Sequence, residues 1–183
     1  MTDVGQDVIR RAQEQDNSAF EEIYRHYSGM VYRLALRMTA NAQEAEEVTQ
    51  DVFVSVHRHL GAFAGQASLK TWIYRITVNC SLNAIKRKGR KRQELAWEEG
   101  FDPADPRNDT LEAAEQEEAH EKMEKLLDQI NPEQKACLLL RAQGDMSYEE
   151  IAKALKINLN TVRSRLKRGR QALLEIYQQR RNP

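Results

Sequence analysis

The chain has 183 residues, enough for one domain or two small ones. Its 28 basic and 28 acidic residues cancel, and a net charge of zero alone argues against a nucleic-acid-binding protein. The charge distribution reverses that argument. Residues 1–92 hold 14 basic and 10 acidic side chains (+4), residues 93–122 hold 2 and 11 (−9), and residues 123–183 hold 12 and 7 (+5). Two basic blocks separated by an acidic block predict a protein in two parts.

Several classes of protein are disfavoured by the sequence. The N-terminus lacks the apolar core of a signal peptide, and no run is long enough to cross a bilayer, so we expect a cytoplasmic protein. Cys80 and Cys137 lie far apart in apolar helical patterns and are expected to be free thiols. Neither these cysteines nor His57 and His59 have a recognised ligand spacing, so no metal and no cofactor are expected.

The first half of the chain reads as three helices. Ser18 and Asn41 are each followed three residues later by glutamate, which predicts two capped helix starts. A third helix is predicted from about Ser68 to Lys86, and no segment has a convincing strand pattern. The apolar residues at helical spacing are Phe20, Ile23, Tyr24, Tyr27, Val31, Leu34 and Met38, then Val48, Val52, Phe53, Val56 and Leu60, then Leu69, Trp72, Ile73, Ile76 and Leu82. Together these helices predict a compact helical domain.

Aromatic and basic residues alternate around the start of the third predicted helix. The loop Phe63–Lys70 precedes Trp72, Tyr74 and Arg75, and six cations occur within Lys86–Arg92. Rings that stack on bases and cations that pair with phosphates suit single-stranded DNA. Two alternatives stay open. Trp72 has the spacing of a core residue, and the basic run could be a solvated helix end, although a phosphate-binding edge is favoured.

Residues 93–112 interrupt the helical pattern. They contain Pro103, Pro106 and the aspartates Asp102, Asp105 and Asp109. The aspartates lack the glycine and terminal glutamate of a calcium loop, so an acidic, flexible linker is predicted.

The second half predicts a helix-turn-helix. Pro132 at a first helical position opens one helix, which ends near Gly144. Ser147 and Glu150 form a capping box for the next, and Asn160 is a plausible N-cap for the last. In that last helix Val162, Leu166 and Leu173 point inward, whereas the outer face carries Arg163, Ser164, Lys167 and Arg168. This pattern is typical of a helix that enters the DNA major groove, and the alternative is a solvated hairpin with a basic face.

The predicted fold is therefore all-α, with two small helical domains joined by the acidic flexible linker and a helix-turn-helix in the second. The expected boundaries are residues 1–92, 93–112 and 113–183.

Three segments carry a resemblance to a known family. They are AEEVTQDVFVSVHRHL (residues 45–60), FAGQASLKTWIYRITVN (residues 63–79) and SYEEIAKALKINLNTVRSRLKRGRQAL (residues 147–173). In order and spacing the chain resembles bacterial RNA polymerase sigma factors of the extracytoplasmic-function group of the sigma-70 family. The likeness covers about residues 16–92 and 113–175.

The resemblance implies a role for each segment. The first is similar to the surface that docks on the clamp helices of the largest polymerase subunit, and its matching residues are Glu47, Gln50, Asp51 and Phe53. From the residues alone, Phe53 is equally suited to the core. The second resembles the part that reads the −10 element and holds an extruded base, with matching residues Phe63, Gln66, Ser68, Lys70, Trp72, Tyr74, Arg75, Asn79, Lys86 and Arg87. The third resembles the reader of the −35 element, with matching residues Asn160, Thr161, Arg163, Ser164, Arg165, Lys167, Arg168 and Arg170.

Within the third segment, Arg165 and Arg170 are expected to contact phosphates, and the other cations to read bases. Many members of the family have glycine where Lys156 and Asn160 stand here, so the geometry of the turn departs from the family pattern. A left-handed backbone at Lys156 would cost about 1–2 kcal/mol.

The implied partners are core RNA polymerase, promoter DNA (duplex at −35 and single-stranded at −10) and an anti-sigma factor, which is often membrane-anchored. The chain itself is not expected to insert into a membrane. The resemblance also implies that the acidic linker threads through the polymerase near the RNA exit path.

Two other functions are weighed. A free-standing helix-turn-helix regulator would leave residues 45–79 without a role beyond packing, and no dimerisation heptad is evident. An enzyme would need a nucleophile–base set, clustered carboxylates or a phosphate loop, and the sequence suggests none of these, so no catalytic residues are assigned.

Overall fold

The computed structural model describes residues 4–99 and 126–181, and within these ranges it consists of helices, turns and loops without a strand. The helices are α1 (Gln6–Gln13), α2 (Asn17–Thr39), α3 (Ala42–His59), a short 3₁₀ turn (Leu60–Ala62), α4 (Leu69–Glu99), α5 (Pro132–Ala142), α6 (Tyr148–Leu155) and α7 (Leu159–Arg181). The all-α prediction is confirmed.

The N-terminal helices bury most of their predicted apolar residues in a first core, although Tyr24 is 45 % exposed. Five of these residues are completely buried: Ile23, Val31, Val52, Val56 and Ile73. They come from α2, α3 and α4, which pack against one another as the 3.6-residue spacing requires.

Helix α1 was not predicted. Its buried residues are Val8 and Ala12, one turn apart, which is too short a stripe to recognise in a sequence. It packs against α2 and the 3₁₀ turn, and so covers one end of the first core.

Two predicted helix caps are wrong by two residues. Helix α2 is capped by Asp16, whose carboxylate accepts from the N–H groups of Ser18 (2.8 Å) and Ala19 (3.3 Å), and not by Ser18. Helix α7 is capped by Asn158, whose Oδ1 accepts from the Thr161 N–H at 2.7 Å, and not by Asn160. In both places two residues that can cap a helix lie two positions apart, and the sequence alone does not show which of them is the cap. The caps predicted at Asn41 and Ser147 are confirmed.

Helix α4 is longer than predicted. It continues past Lys86 to Glu99, because the basic run consists of good helix formers and the single Gly89 costs only about 1 kcal/mol relative to alanine. Residues 93–99 of the expected linker therefore continue α4, and residues 100–112 lie outside the described residues.

A second core joins the two halves of the chain. It contains Leu139, Leu140, Ile151, Val162 and Leu166 of the C-terminal helices. From the N-terminal half it takes Leu34 and Met38 of α2 and Tyr74 and Val78 of α4. The C-terminal helices thus pack directly on α2 and α4 in this conformation.

Candidate nucleic-acid interface

The turn between α6 and α7 sets the direction of α7. Ser147 and Glu150 close a capping box at the start of α6, with N–H···O distances of 2.7 and 3.2 Å. The hydrogen bond from the Ser147 backbone holds the pKa of Glu150 below its usual value. At the other end Lys156 has the left-handed backbone considered above (φ 53°), and the Ile157 N–H donates to the Ala152 carbonyl at 3.0 Å. This closes α6 and lets α7 start three residues later.

Buried contacts fix the inner side of α7. Val162 and Leu166 are 0 % and 1 % exposed. Gly169 lies so close to α5 that an added Cβ would stand 2.9 Å from Cδ1 of Leu138. Because these contacts leave α7 little freedom to rotate, its outer residues are held in one orientation.

Polar and basic side chains cover the outer side of α7. Arg163, Ser164, Lys167, Arg168 and Arg170 are exposed, and so is Asn160, which accepts from Arg163 at 3.5 Å. They recur every three or four residues, so they form a basic stripe along one face. Thr161 is half-buried beside its cap Asn158.

Arg165 differs from the other cations of α7. Its guanidinium donates to Glu133 of α5, and only 22 % of its side chain is exposed. The structure therefore turns Arg165 toward α5, away from the basic stripe. A phosphate contact for Arg165 stays a prediction.

The loop before α4 presents mixed polar and aromatic groups. Phe63 and Trp72 are half-buried, with ring centroids 5.2 Å apart. Ser68 caps α4, since its hydroxyl accepts from the Thr71 N–H at 3.0 Å. Gln66 and Lys70, which lie between Phe63 and Trp72 in the chain, are exposed. This loop can therefore offer both a ring surface and hydrogen-bonding groups to a ligand.

The C-terminal helices cover the middle of the α4 face. Tyr74 is 7 % exposed, and burial raises the pKa of its hydroxyl. Asn79 Nδ2 donates to the Ala154 carbonyl of α6 at 3.1 Å, although much of the Asn79 side chain is exposed. Half-buried Arg75 lies near Glu150, whose pKa its charge helps to lower. The residues predicted to read the −10 element thus meet the C-terminal half of the chain.

The basic end of α4 is engaged in ion pairs. Lys86 Nζ lies 3.6 Å from Glu133 of α5, and Arg87 lies 4.0 Å from Glu47 of α3. Lys88 pairs with Glu44. All three cations are more than two-fifths exposed, so the pairs are weak and can exchange for phosphate.

Helix α3 shows a polar outer face with an apolar centre. Glu47, Gln50 and Asp51 are exposed as expected, but Phe53 is only 5 % exposed, and its ring packs at an inclined angle of 59° against that of Tyr24. Of the two roles left open for Phe53, the structure places it in the core. Val54, which the sequence reading did not single out, is 49 % exposed. It lies one helical turn beyond Gln50, and the signal available in the sequence was a valine outside the apolar stripe of Val48, Val52 and Val56.

Other kinds of site are not seen in the described part of the chain. Among residues 4–90 and 126–179, whose side chains the structure describes, no group of three or more histidine, cysteine, aspartate or glutamate side chains is placed to hold a metal ion. None of the helices in those ranges is long and apolar enough to cross a membrane. Burial raises the pKa of the Cys137 thiol to about 11, so it is a poor nucleophile near neutral pH.

Comparison with known families finds two matches, which together cover most of the described residues. Residues 23–91 match sigma-70 region 2, and residues 120–173 match sigma-70 region 4.

Curated relatives agree with both matches. The RNA polymerase sigma-H factor of Pseudomonas aeruginosa is 30 % identical over 94 % of this chain and 93 % of that protein. The ECF RNA polymerase sigma factor SigE of Mycolicibacterium smegmatis is 37 % identical over 85 % of this chain and 60 % of that protein.

Two solved structures share the fold at 19 % identity. The sigma factor RpoE in complex with the anti-sigma factor NepR from Bartonella quintana gives a TM-score of 0.65 over 87 % of this chain and 96 % of that one. CnrH in complex with the cytosolic domain of CnrY gives a TM-score of 0.63 over 93 % and 95 %.

Proposed function

This chain belongs to the extracytoplasmic-function group of the sigma-70 family and is an alternative sigma factor that directs transcription initiation, and we propose that α7 reads the −35 element while the α4 face reads the −10 element. The supporting observation is that the basic stripe, which includes Arg163, Ser164, Lys167 and Arg168, lies on a helix whose opposite side is held in place by packing. A rigidly held helix with exposed cations is what major-groove readout needs.

The −10 element is proposed to be read as a single strand. A base leaves the stack at a cost of a few kcal/mol, and the loop Phe63–Lys70 offsets that cost by holding it. The neighbouring Trp72 ring and the exposed cations Lys70, Lys86 and Arg87 supply stacking and phosphate contacts. Strand opening then needs no nucleotide hydrolysis.

Reading both elements requires the two halves to separate. Asn79 touches Ala154, and the nine residues from Ala154 to Arg163 span at most about 32 Å. The two elements are about 25 base pairs apart, or about 85 Å along a duplex at about 3.4 Å per pair. In the packed conformation the two reading surfaces are therefore too close together to reach both elements at once. A chain of 26 residues, the number from 100 to 125, can span at most about 90 Å, so its length permits the two halves to separate by the required distance.

Core RNA polymerase and an anti-sigma factor are the proposed protein partners, and the cytoplasm is the proposed site of action. Helix α3 offers the polymerase an exposed face on which the polar residues Glu47, Gln50 and Asp51 surround the apolar Val54. The anti-sigma partner is supported by the two solved complexes that share this fold. A partner of that kind should bind the chain and suppress its run-off transcription with core polymerase, and a binding protein without that effect would be some other partner.

The decisive experiment is run-off transcription with bacterial core polymerase and a library of promoter fragments. We expect selective initiation that depends on the added chain. In the enriched promoters, Arg163→Ala should relax the choice at one −35 base pair, because a bidentate arginine–guanine contact is worth about 1–3 kcal/mol. The matched variant Arg170→Ala should instead weaken all sequences and reduce the salt dependence by about one ion.

A uniform loss of affinity with Arg163→Ala would make Arg163 a phosphate contact. Duplex binding without any initiation would favour a free-standing regulator.

A further inference from the structure

An open cavity of about 500 Å³ lies between α1 and the loop that precedes α4. Ile9, Arg10 and Gln13 line it from α1, and Phe63, Gly65 and Ser68 line it from the loop. Its size is within the range of about 300–1,000 Å³ found for small-molecule sites. The walls combine apolar side chains, a hydroxyl and one arginine, which suits a planar, polar-edged ring attached to a phosphate.

Gln13 fixes the start of this loop. Its amide Nε2 donates to the Leu60 carbonyl at 3.1 Å and to the Phe63 carbonyl at 2.8 Å. The Phe63 N–H also donates to the Leu60 carbonyl at 3.0 Å. One half-buried side chain of α1 therefore clamps both ends of the 3₁₀ turn that leads into the loop.

The other end of the loop is fixed independently. Ser68 accepts from the Thr71 N–H through its hydroxyl, and its carbonyl accepts from the Trp72 N–H, both at 3.0 Å. Between these two anchors Gly65 has a left-handed backbone (φ 69°). The position of the loop relative to α1, and with it the shape of the cavity, depends on Gln13.

We propose that α1 is part of the −10 reader, with the extruded base seated between α1 and the loop and with Gln13 as the residue that positions the loop around it. This rests on the proposed function. Arg10 places a cation at the cavity, where the phosphate of the extruded nucleotide would enter. Neighbouring Arg11 does not line this cavity.

The test uses the holoenzyme with core polymerase and single-stranded −10 oligonucleotides in which each base is removed in turn. In the wild type, one abasic position should weaken binding most, and it identifies the seated base. Gln13→Met keeps the length of the side chain but removes its donor. It should reduce the penalty at that position about fivefold or more, because it removes two hydrogen bonds, each of which contributes about 0.5–1.5 kcal/mol. Penalties at the other positions and −35 duplex binding should not change.

Gln13→Lys restores a donor to the two carbonyls and should recover the penalty. Gln43→Met, the same change on exposed α3, should leave it intact. A Gln13→Met protein that keeps the wild-type penalty, or that loses affinity equally at every position, overturns the proposal for Gln13. A wild-type holoenzyme with no penalty at any base overturns the proposed function itself.

Discussion

At the scale of single residues, backbone geometry and tertiary contacts select which of two neighbouring polar side chains caps a helix. Asp145 stands two residues before Ser147, but its backbone is left-handed (φ 50°), which does not suit an N-cap, and Ser147 caps α6. Asp16 displaced Ser18 because its carboxylate also pairs with Arg11, a contact that depends on α1 and is invisible in the sequence pattern. Asn158 displaced Asn160 because the left-handed Lys156 closes α6 early. Local residue preferences thus predict that a helix starts, and tertiary contacts choose the starting residue.

The cap at Asp16 predicts a pH-dependent stability. Hydrogen bonds from Ser18, then from Arg11, lower the pKa of Asp16. A lowered pKa means that Asp16 stabilises the fold above its unfolded pKa of about 3.9 and that this contribution disappears as the pH falls through the folded value. Asp16→Asn keeps a capping acceptor without the charge. The melting temperature of the wild type should exceed that of Asp16→Asn above about pH 5, and the gap should narrow toward pH 2.

Arg11→Gln provides the control for this pH effect. Removing the cation takes away part of the cause of the lowered pKa, so the Asp16→Asn gap should be smaller in that background. A gap that stays constant from pH 7 to pH 2 would show that the carboxylate charge does not contribute.

At the level of elements, the apolar periodicity predicted α2, α3 and the body of α4, since each buries a long stripe. It missed α1, whose stripe is two residues long, although α1 completes the cavity beside the loop. Periodicity also left two roles open for Phe53 and did not single out its neighbour Val54. A helix has no sharp boundary between its buried and exposed faces, and neighbouring helices decide which of two adjacent apolar residues is covered.

The exposed apolar centre of α3 leads to a prediction about polymerase binding. Burying the exposed half of Val54 in an interface is worth about 1 kcal/mol, and a buried unpaired carboxylate costs about 1 kcal/mol or more, so Val54→Asp should weaken binding to core polymerase at least about tenfold. Its melting temperature should stay close to that of the wild type, because the side chain is exposed. Fluorescence anisotropy of the labelled chain, titrated with core polymerase, measures the change.

Val54→Ile keeps an apolar group of similar shape and should bind core polymerase like the wild type. If Val54→Asp also binds with unchanged affinity, the docking face lies elsewhere on the chain.

At the scale of the whole molecule, the sequence predicted two helical parts but not their packing on each other. The contacts that join them, such as Asn79 with Ala154 and Lys86 with Glu133, link residues far apart in the chain, and no local pattern encodes them. Tyr74 shows the same limit. Its helical position fits a DNA-facing ring or a core ring equally well, and the C-terminal helices make it a core ring in this conformation.

The packed conformation leads to a prediction about shape. Pairs of spin labels at Gln43 on α3 and Gln178 on α7, in a Cys80→Ser background, should report one distance in the free protein. With core polymerase and promoter DNA that distance should increase by tens of Å, because the elements lie about 85 Å apart and Asn79 now touches α6. For a control pair at Gln43 and Arg58, both on α3, the distance should not change, because it is set by the helical rise of about 1.5 Å per residue.

Initiation without a change in the Gln43–Gln178 distance would mean that the two halves act while packed together. Lengthening in the free protein at high salt alone would instead show that weak pairs such as Lys86–Glu133 hold them closed.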